Sequence, residues 1–353
     1  MAEEKFAFKS AKVSIAFSLT SGLGDCVIIK KVLEALIELE PDCVVDIFYV
    51  SAAHKTFAEA FYSDIKNLNR IWSLDEFYKE NFQSYDLALW VAGSHSIILD
   101  SLNVQSLKAK APNLIRSLIK IDTYNKKYVY DLEPGGTGVA LRNMVAAQIL
   151  GKNCYDFLSC DGALPICDDK VNIPLAPEYK RDFENLKLDK YITIYTDIDE
   201  TEKARPKVKA WLIRCWHEYV VRLKRRRPDV EIVQCGGNDV KVENADRHFL
   251  NCDLELTKYI LANSLLHVGC EGGLVHLATA LGTKCLVLFG SSGADYFGYK
   301  QNINLVSEIC RPCMYILSDF MTCLRGAKEP PCMLSHTPQL VCEITCNYLK
   351  NKA

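Results

Sequence analysis

The chain has 353 residues, 49% hydrophobic and 24% charged, and its 42 Lys and Arg against 44 Asp and Glu give a formal net charge of −2. At roughly 150 residues per domain the length predicts two domains. The near-balanced charge excludes strong attraction to nucleic acid or anionic lipid, and the composition excludes disorder, collagen and coiled coil.

No run reaches the roughly 18 to 20 apolar residues of a membrane span. The richest stretch, Leu87 to Leu99, is broken by Gly93, Ser94, His95 and Ser96. Glu3 and Glu4 stand where a signal peptide carries cations, so a cytoplasmic protein is expected, with its 16 cysteines reduced. Cys43, Cys235 and Cys285 lie in apolar runs and read as small buried hydrophobes.

Val13 to Ser18 reads as a strand, and Thr20 to Asp25 as a glycine turn. Ile28, Ile29, Val32, Leu33, Leu36 and Ile37 then recur at three- and four-residue steps, predicting a helix closed by Pro41. Further apolar runs at 43–50 and 86–91 suit a parallel sheet covered on both faces. Pro165, Pro174 and Pro177 and the charges of Lys180 to Glu184 suggest an interdomain linker. A second βα series follows: strand 191–196, helix 210–226, then strands 230–235, 265–268 and 284–289. The expected plan is one Rossmann-like domain over 1–165, a linker over 166–188, a second Rossmann-like domain over 189–336 and a terminal helix over 337–353. Two Rossmann-like halves facing each other would place a ligand cleft between the carboxyl ends of their sheets. Arg225, Arg226 and Arg227 fall at a helix C-terminus, where cations complement the dipole and need no nucleic acid.

Five stretches are candidates for chemistry. In Ser21-Gly22-Leu23-Gly24-Asp25 the glycines allow close backbone approach. A carboxylate would repel phosphate, so Asp25 reads either as a general base or as a helix N-cap. In Cys270-Glu271-Gly272-Gly273-Leu274-Val275-His276, Gly272 and Gly273 open a helix whose N–H groups can receive a diphosphate. Glu271 would accept from sugar hydroxyls there, although a plain strand-to-helix connection with Glu271 as cap and His276 in the core fits equally. The cations of Lys203 to Lys209 can stabilise a leaving diphosphate or simply be solvated. Asp197 and Asp199 spell the D-x-D of some metal sites, but a loop pair after a strand needs no function. Finally, residues 310–332 hold four cysteines, Cys310, Cys313, Cys323 and Cys332, where chance predicts about one. Four thiolates would close a tetrahedral structural site for zinc or iron; free thiols are the alternative. Cys342 and Cys346, four apart on a helix, read as core.

Ser-Gly-Leu-Gly-Asp at 21–25, Glu-Gly-Gly-Leu-Val-His-Leu-Ala-Thr-Ala-Leu-Gly-Thr at 271–283 and Leu-Phe-Gly at 288–290 together resemble the heptosyltransferases, glycosyltransferase family nine. The cysteine cluster and Lys209-Ala210-Trp211 look most like the autotransporter heptosyltransferases of that family, which bind iron through four cysteines and form rings. The resemblance implies a GT-B fold and inverting transfer of heptose from ADP-heptose without a catalytic divalent metal. It implies Asp25 as base and Gly22 and Gly24 as its turn. Lys209, with Lys203 nearby, would lie on the donor phosphates, Glu271 near the donor sugar, and Gly272, Gly273 and His276 in the diphosphate loop. Cys310, Cys313, Cys323 and Cys332 match the subgroup's iron ligands, with zinc the alternative. The implied acceptor is a serine hydroxyl of an autotransporter passenger, or the lipopolysaccharide core, and a homo-oligomer is expected. Cys270 and Val208 depart from the family's usual residues. A sugar-nucleotide epimerase and a non-catalytic metal-binding assembly protein on the same fold are the rival readings.

Overall fold

The computed structural model describes residues 12–74, 83–132, 136–199, 207–317 and 321–350. The chain divides into two compact units that meet between Pro174 and Leu175.

The first unit holds β1 (Ser14–Leu19), α1 (Leu23–Leu39), β2 (Val44–Tyr49), α2 (Ala52–Tyr62), β3 (Leu68–Ser73), β4 (Leu87–Ala92) and β5 (Ser96–Leu102). α3 (Val104–Lys110), α4 (Pro112–Tyr128), α5 (Thr137–Leu150) and α6 (Cys154–Leu158) follow. The sheet runs β3-β2-β1-β4-β5, with β1 parallel to both neighbours. All six residues of β1 are buried, as a central strand covered on both faces requires. α1 turns Val27, Ile28, Ile29, Val32, Leu33 and Leu36 inward, all fully buried, and burial of each such side chain contributes about 1.5–3 kcal/mol. Lys30, on the same helix, is also fully buried, its ammonium held by Asp64 and the Asn172 carbonyl.

The sheet is not parallel throughout: β4 pairs antiparallel with β5. Only Gly93, Ser94 and His95 separate these strands, too few for the crossover that a parallel pair needs. Gly93 makes the reversal possible with φ +53°.

The second unit carries β6 (Tyr191–Tyr195), β7 (Glu231–Gly236), β8 (Arg247–Leu250), β9 (His267–Cys270), β10 (Cys285–Phe289) and β11 (Ile303–Val306) in the order β11-β10-β9-β6-β7-β8. Every pairing is parallel. Its helices are α7 (Lys180–Asn185), α8 (Ile213–Arg226), α9 (Leu254–Ala262), α10 (Gly273–Ala280), α11 (Ala294–Phe297), α12 (Pro331–Leu334) and α13 (Pro338–Lys350). The charged stretch read as linker forms α7, whose Phe183 stacks on Tyr259 of α9. Trp211, Trp216 and Tyr219 meet edge to face under α8. The Tyr219 hydroxyl pairs with Thr345 of α13 at 3.0 Å. Cys342 and Cys346 are buried in this core, as expected. Arg225 and Arg226 lie in the last turn of α8. No helix among the described residues is long and apolar enough to cross a membrane.

Each sheet has one pair of adjacent parallel strands at which the chain changes its direction of growth: β1 and β4 in the first, β6 and β9 in the second. Ligands of open α/β sheets bind outside the carboxyl ends of such strands. The residues after these four strands are therefore where chemistry is expected.

β9 also carries a pH dependence. His267 is fully buried with Nδ1 3.0 Å from the Thr193 hydroxyl, and burial pushes its imidazole down to about 3 from an ordinary 6.5. The folded chain thus refuses a proton that the unfolded chain takes up below pH 6.5. Stability held above pH 6.5 should be lost progressively toward pH 3, by up to about 1.4 kcal/mol per pH unit for one proton. Urea midpoints measured from pH 7 to pH 4 should fall, and His267→Gln should reduce that slope by about one proton; an unchanged slope refutes the assignment.

Candidate functional site

In the first unit the turn after β1 is fastened to the turn after β4. Gly93 N–H donates to Ser21 Oγ at 3.0 Å, and Ser21 Oγ donates to the Val91 carbonyl. His54 Nε2–H donates to the Ser21 carbonyl at 2.9 Å while its Nδ1 accepts from Ser51. Gly22 is the N-cap of α1 and offers no side chain to cap it; Gly24 is buried in the first turn. Asp25 is the third residue of α1 and half-buried, so it is not the N-cap. A Cβ on Gly93 would stand 3.0 Å from His95 Cδ2 and 3.9 Å from Asp25 Oδ1, so His95 and Asp25 flank the same small space. His95, which the sequence did not single out, is pushed down to about 4 by burial and is uncharged at neutral pH. A half-exposed carboxylate beside a neutral imidazole, at a helix N-terminus, is suited to taking a proton from a hydroxyl.

In the second unit β9 ends in Cys270, whose Sγ accepts from the Trp211 N–H at 3.1 Å. That bond fixes the segment carrying Lys209 against the strand end. Lys209 Nζ lies 3.4 Å from Glu271 Oε2 and 3.7 Å from Asp197 Oδ2. About one-fifth of the Lys209 side chain is exposed, against 6% of Glu271 and 10% of Asp197. Burial acts against the Lys209 charge, yet Glu271 and Asp197 together raise its pKa above the ordinary lysine range. Burial likewise opposes the Glu271 charge, but Lys209 and His276 bring its carboxyl down to about 2. His276 Nε2 donates to Glu271 Oε1 at 3.4 Å, and Nδ1 accepts from the Tyr299 hydroxyl at 2.9 Å. Gly272 and Gly273 open α10 beside this group, so the first N–H groups of the helix and the Lys209 ammonium converge. Such an arrangement can receive a diphosphate next to a carboxylate able to accept from hydroxyls. Lys203 lies outside the described residues.

Two participants escaped the sequence reading. Tyr299, whose hydroxyl pairs with His276 Nδ1, is 23 residues away and carries no local signal. Asp197 was read only as half of a D-x-D pair. The structure buries it against Lys209, whereas Asp199 turns to a β-bridge with Asp239 and accepts from Asn238. Its place directly after β6, at the switch point, was the available clue.

The four cysteines of 310–332 are neighbours. Cys313 and Met314 both donate their N–H to the Ser291 carbonyl at 2.9 Å, which ties the Cys310–Cys313 segment to the loop after β10. A Cβ on Gly290 would collide with Met333 Sδ and stand 3.2 Å from Cys332 Sγ, so only glycine fits beside α12. Burial raises Cys332 to about 12, with Cys310, Cys313 and Cys323 adding to the effect. Burial and then Cys323 and Cys310 raise Cys313. Among the described residues, however, no group of three or more His, Cys, Asp or Glu is arranged to hold a metal ion. The donor set itself, four soft sulfurs on adjacent loops, fits zinc or iron.

Comparison with known proteins bears on the fold. Residues 176–321 match the model of glycosyltransferase family 9 (heptosyltransferase). Among solved structures the chain is similar to the E. coli ADP-heptose LPS heptosyltransferase II, at 14% identity and TM-score 0.57 over 97% of this chain and 100% of that one. It is also similar to TibC, described as a bacterial iron-containing dodecameric glycosyltransferase from enterotoxigenic E. coli, at 14% identity and TM-score 0.63 over 97% and 77% of the two chains. A family 9 glycosyltransferase from Veillonella parvula matches at 11% identity and TM-score 0.60, over 97% and 98%. The fold is thus the GT-B fold of these enzymes. No curated protein is significantly similar in sequence.

Proposed function

We propose that the protein is an inverting glycosyltransferase that moves heptose from ADP-heptose to a hydroxyl acceptor, a reading supported by the match of residues 176–321 to the model of glycosyltransferase family 9. The observation that carries the reading is the convergence of Lys209, Glu271 and His276 on the glycine-opened N-terminus of α10, at the switch point of its sheet. The Lys209 ammonium and the α10 N–H groups receive the diphosphate and absorb the charge that grows on it as ADP departs. Glu271 accepts from sugar hydroxyls. Asp25 takes the acceptor hydroxyl's proton; the new C–O bond forms at the anomeric carbon as the bond to the phosphate oxygen breaks, so the configuration inverts. In this reading Gly22 and Gly24 allow the close turn beside Asp25.

The preferred acceptor is a serine side chain of an autotransporter-type protein, supported by the likeness to TibC, itself described as dodecameric and iron-containing. The lipopolysaccharide core is the second reading, supported by the likeness to heptosyltransferase II. Mass spectrometry of a passenger protein and of a core lipid acceptor, each incubated with ADP-heptose, separates them. Mass gained by the lipid alone rejects the serine reading; no gain in either rejects heptosyl transfer.

Cys310, Cys313, Cys323 and Cys332 would hold one structural ion per chain, iron before zinc, whose chemistry is to bind the loops together. Elemental analysis of the purified protein should give about one metal per chain, and Cys310→Ser should lose it with a fall in melting temperature. Metal-free wild-type protein of undiminished stability refutes the site.

A further inference from the structure

The hydrogen bonding of Asp197 is one-sided. Its Oδ1 accepts from the Tyr195 hydroxyl at 3.0 Å and from Lys207 Nζ at 3.4 Å. Its Oδ2 is buried and has no hydrogen-bond donor among the described residues. The nearest cation, Lys209 Nζ at 3.7 Å, forms an ion pair beyond hydrogen-bond reach. The residue as a whole is only 8% exposed. A buried acceptor left open in this way is destabilising unless something donates to it.

The open oxygen is aimed. A Cβ built on Gly272 would stand 3.7 Å from Oδ2, so this atom faces the residue that opens α10. The backbone is held to keep it there. Asp197 has φ +53°, unusual for a residue with a side chain, and bonds on both sides maintain that conformation. The Thr196 hydroxyl and the Ile198 N–H both donate to Asp239 Oδ1, at 3.0 and 3.2 Å, while Gly237 N–H donates to Asp239 Oδ2 at 2.8 Å.

From these observations we infer that Asp197 is a substrate-binding residue whose Oδ2 accepts a hydrogen bond from a sugar hydroxyl of the bound nucleotide sugar. The inference rests on the donor-site reading given above. A phosphate oxygen is excluded as partner because it is an acceptor and carries like charge. A hydroxyl supplies the missing donor, and charge-assisted bonds of this kind are about twice as strong as neutral ones. Two hydroxyl sources share this chemistry, the transferred sugar and the ribose of the ADP.

Binding of ADP-heptose, ADP and 2′,3′-dideoxy-ADP to the full-length chain distinguishes them by calorimetry. The variants are Asp197→Gly, which accepts the positive φ without strain, and Asp197→Asn, which tolerates it and keeps a weaker acceptor. Asp197→Gly should lose about 10- to 100-fold in affinity for the ligand that carries the contacting hydroxyl, and Asp197→Asn less. Loss for ADP-heptose with ADP unchanged assigns the hydroxyl to the transferred sugar. Loss for ADP-heptose and ADP, with dideoxy-ADP unchanged, assigns it to the ribose. An equal loss for all three means that Asp197 acts only through Lys209, and no loss for any means no contact; either overturns the inference. Wild-type protein that binds none of the three refutes the donor-site reading, and this inference with it.

Discussion

Asp25→Asn is expected to lower kcat with ADP-heptose and a competent acceptor by about 10²- to 10⁴-fold, the range in which a positioned general base contributes. Donor affinity and melting temperature should change little, and the geometry explains why. The main chain starts α1 by itself: Cys26 N–H donates to the Gly22 carbonyl at 2.9 Å, and no side chain caps the helix. What asparagine removes is the carboxylate's attraction to the helix N-terminus, about 0.3–1 kcal/mol at an exposed site. Neither neighbour replaces the lost base well. His54 has both ring nitrogens engaged, by Ser51 and by the Ser21 carbonyl. His95 is a weak base, because burial resists the charge it would take up with the proton. Initial rates at saturating donor are the measurement. Turnover within a few-fold of wild type would remove Asp25 from the mechanism, while a large loss accompanied by a collapsed melting temperature would reassign it to structure.

The glycine turns after β1 and β9 were legible because they interrupt apolar runs that change period, and a period change survives in one dimension. Lys209, Glu271 and His276 were singled out by the family resemblance; on the residues alone, solvated cations and a plain strand-to-helix connection fitted as well. What closes the site was not legible. Tyr299 orients His276 from another segment, and Asp239 holds the Asp197 loop from beyond β7. Such bonds depend on strand order, which periodicity does not encode. The antiparallel β5 was missed because its residues are only partly buried and follow a three-residue turn, so its pattern merges with that of β4. Strand limits in the second unit shifted by one or two residues: 265–268 became His267–Cys270, since Leu265 and Leu266 pack in the core ahead of the ladder. The cysteine cluster was legible as a count. Whether its sulfurs share an ion depends on protonation, which a sequence does not carry.

Lys209→Met should act on catalysis and stability at once. On catalysis, it removes the cation nearest the growing diphosphate charge, and loss of one such group costs about 10²- to 10³-fold in rate. On stability, it leaves two nearly buried carboxylates facing each other. Breaking a buried ion pair from one side costs about 3–5 kcal/mol; with one-fifth of Lys209 exposed, the lower end is expected. The pH profile identifies the source. Glu271, held down to about 2 from an ordinary 4.5, contributes stability that is present above pH 4.5 and is lost as the pH falls toward 2. Without Lys209 that depression shrinks, so the acid limb of the variant's stability curve should flatten across this window. The double variant Lys209→Met with Glu271→Gln tests the argument, because glutamine removes one stranded charge and keeps an acceptor for His276 Nε2. It should regain much of the stability and none of the turnover. Recovery of turnover in the double variant would show that the lysine serves Glu271 and not the leaving diphosphate. A Lys209→Met enzyme with wild-type kcat/KM for ADP-heptose would remove the donor site from this end of the sheet.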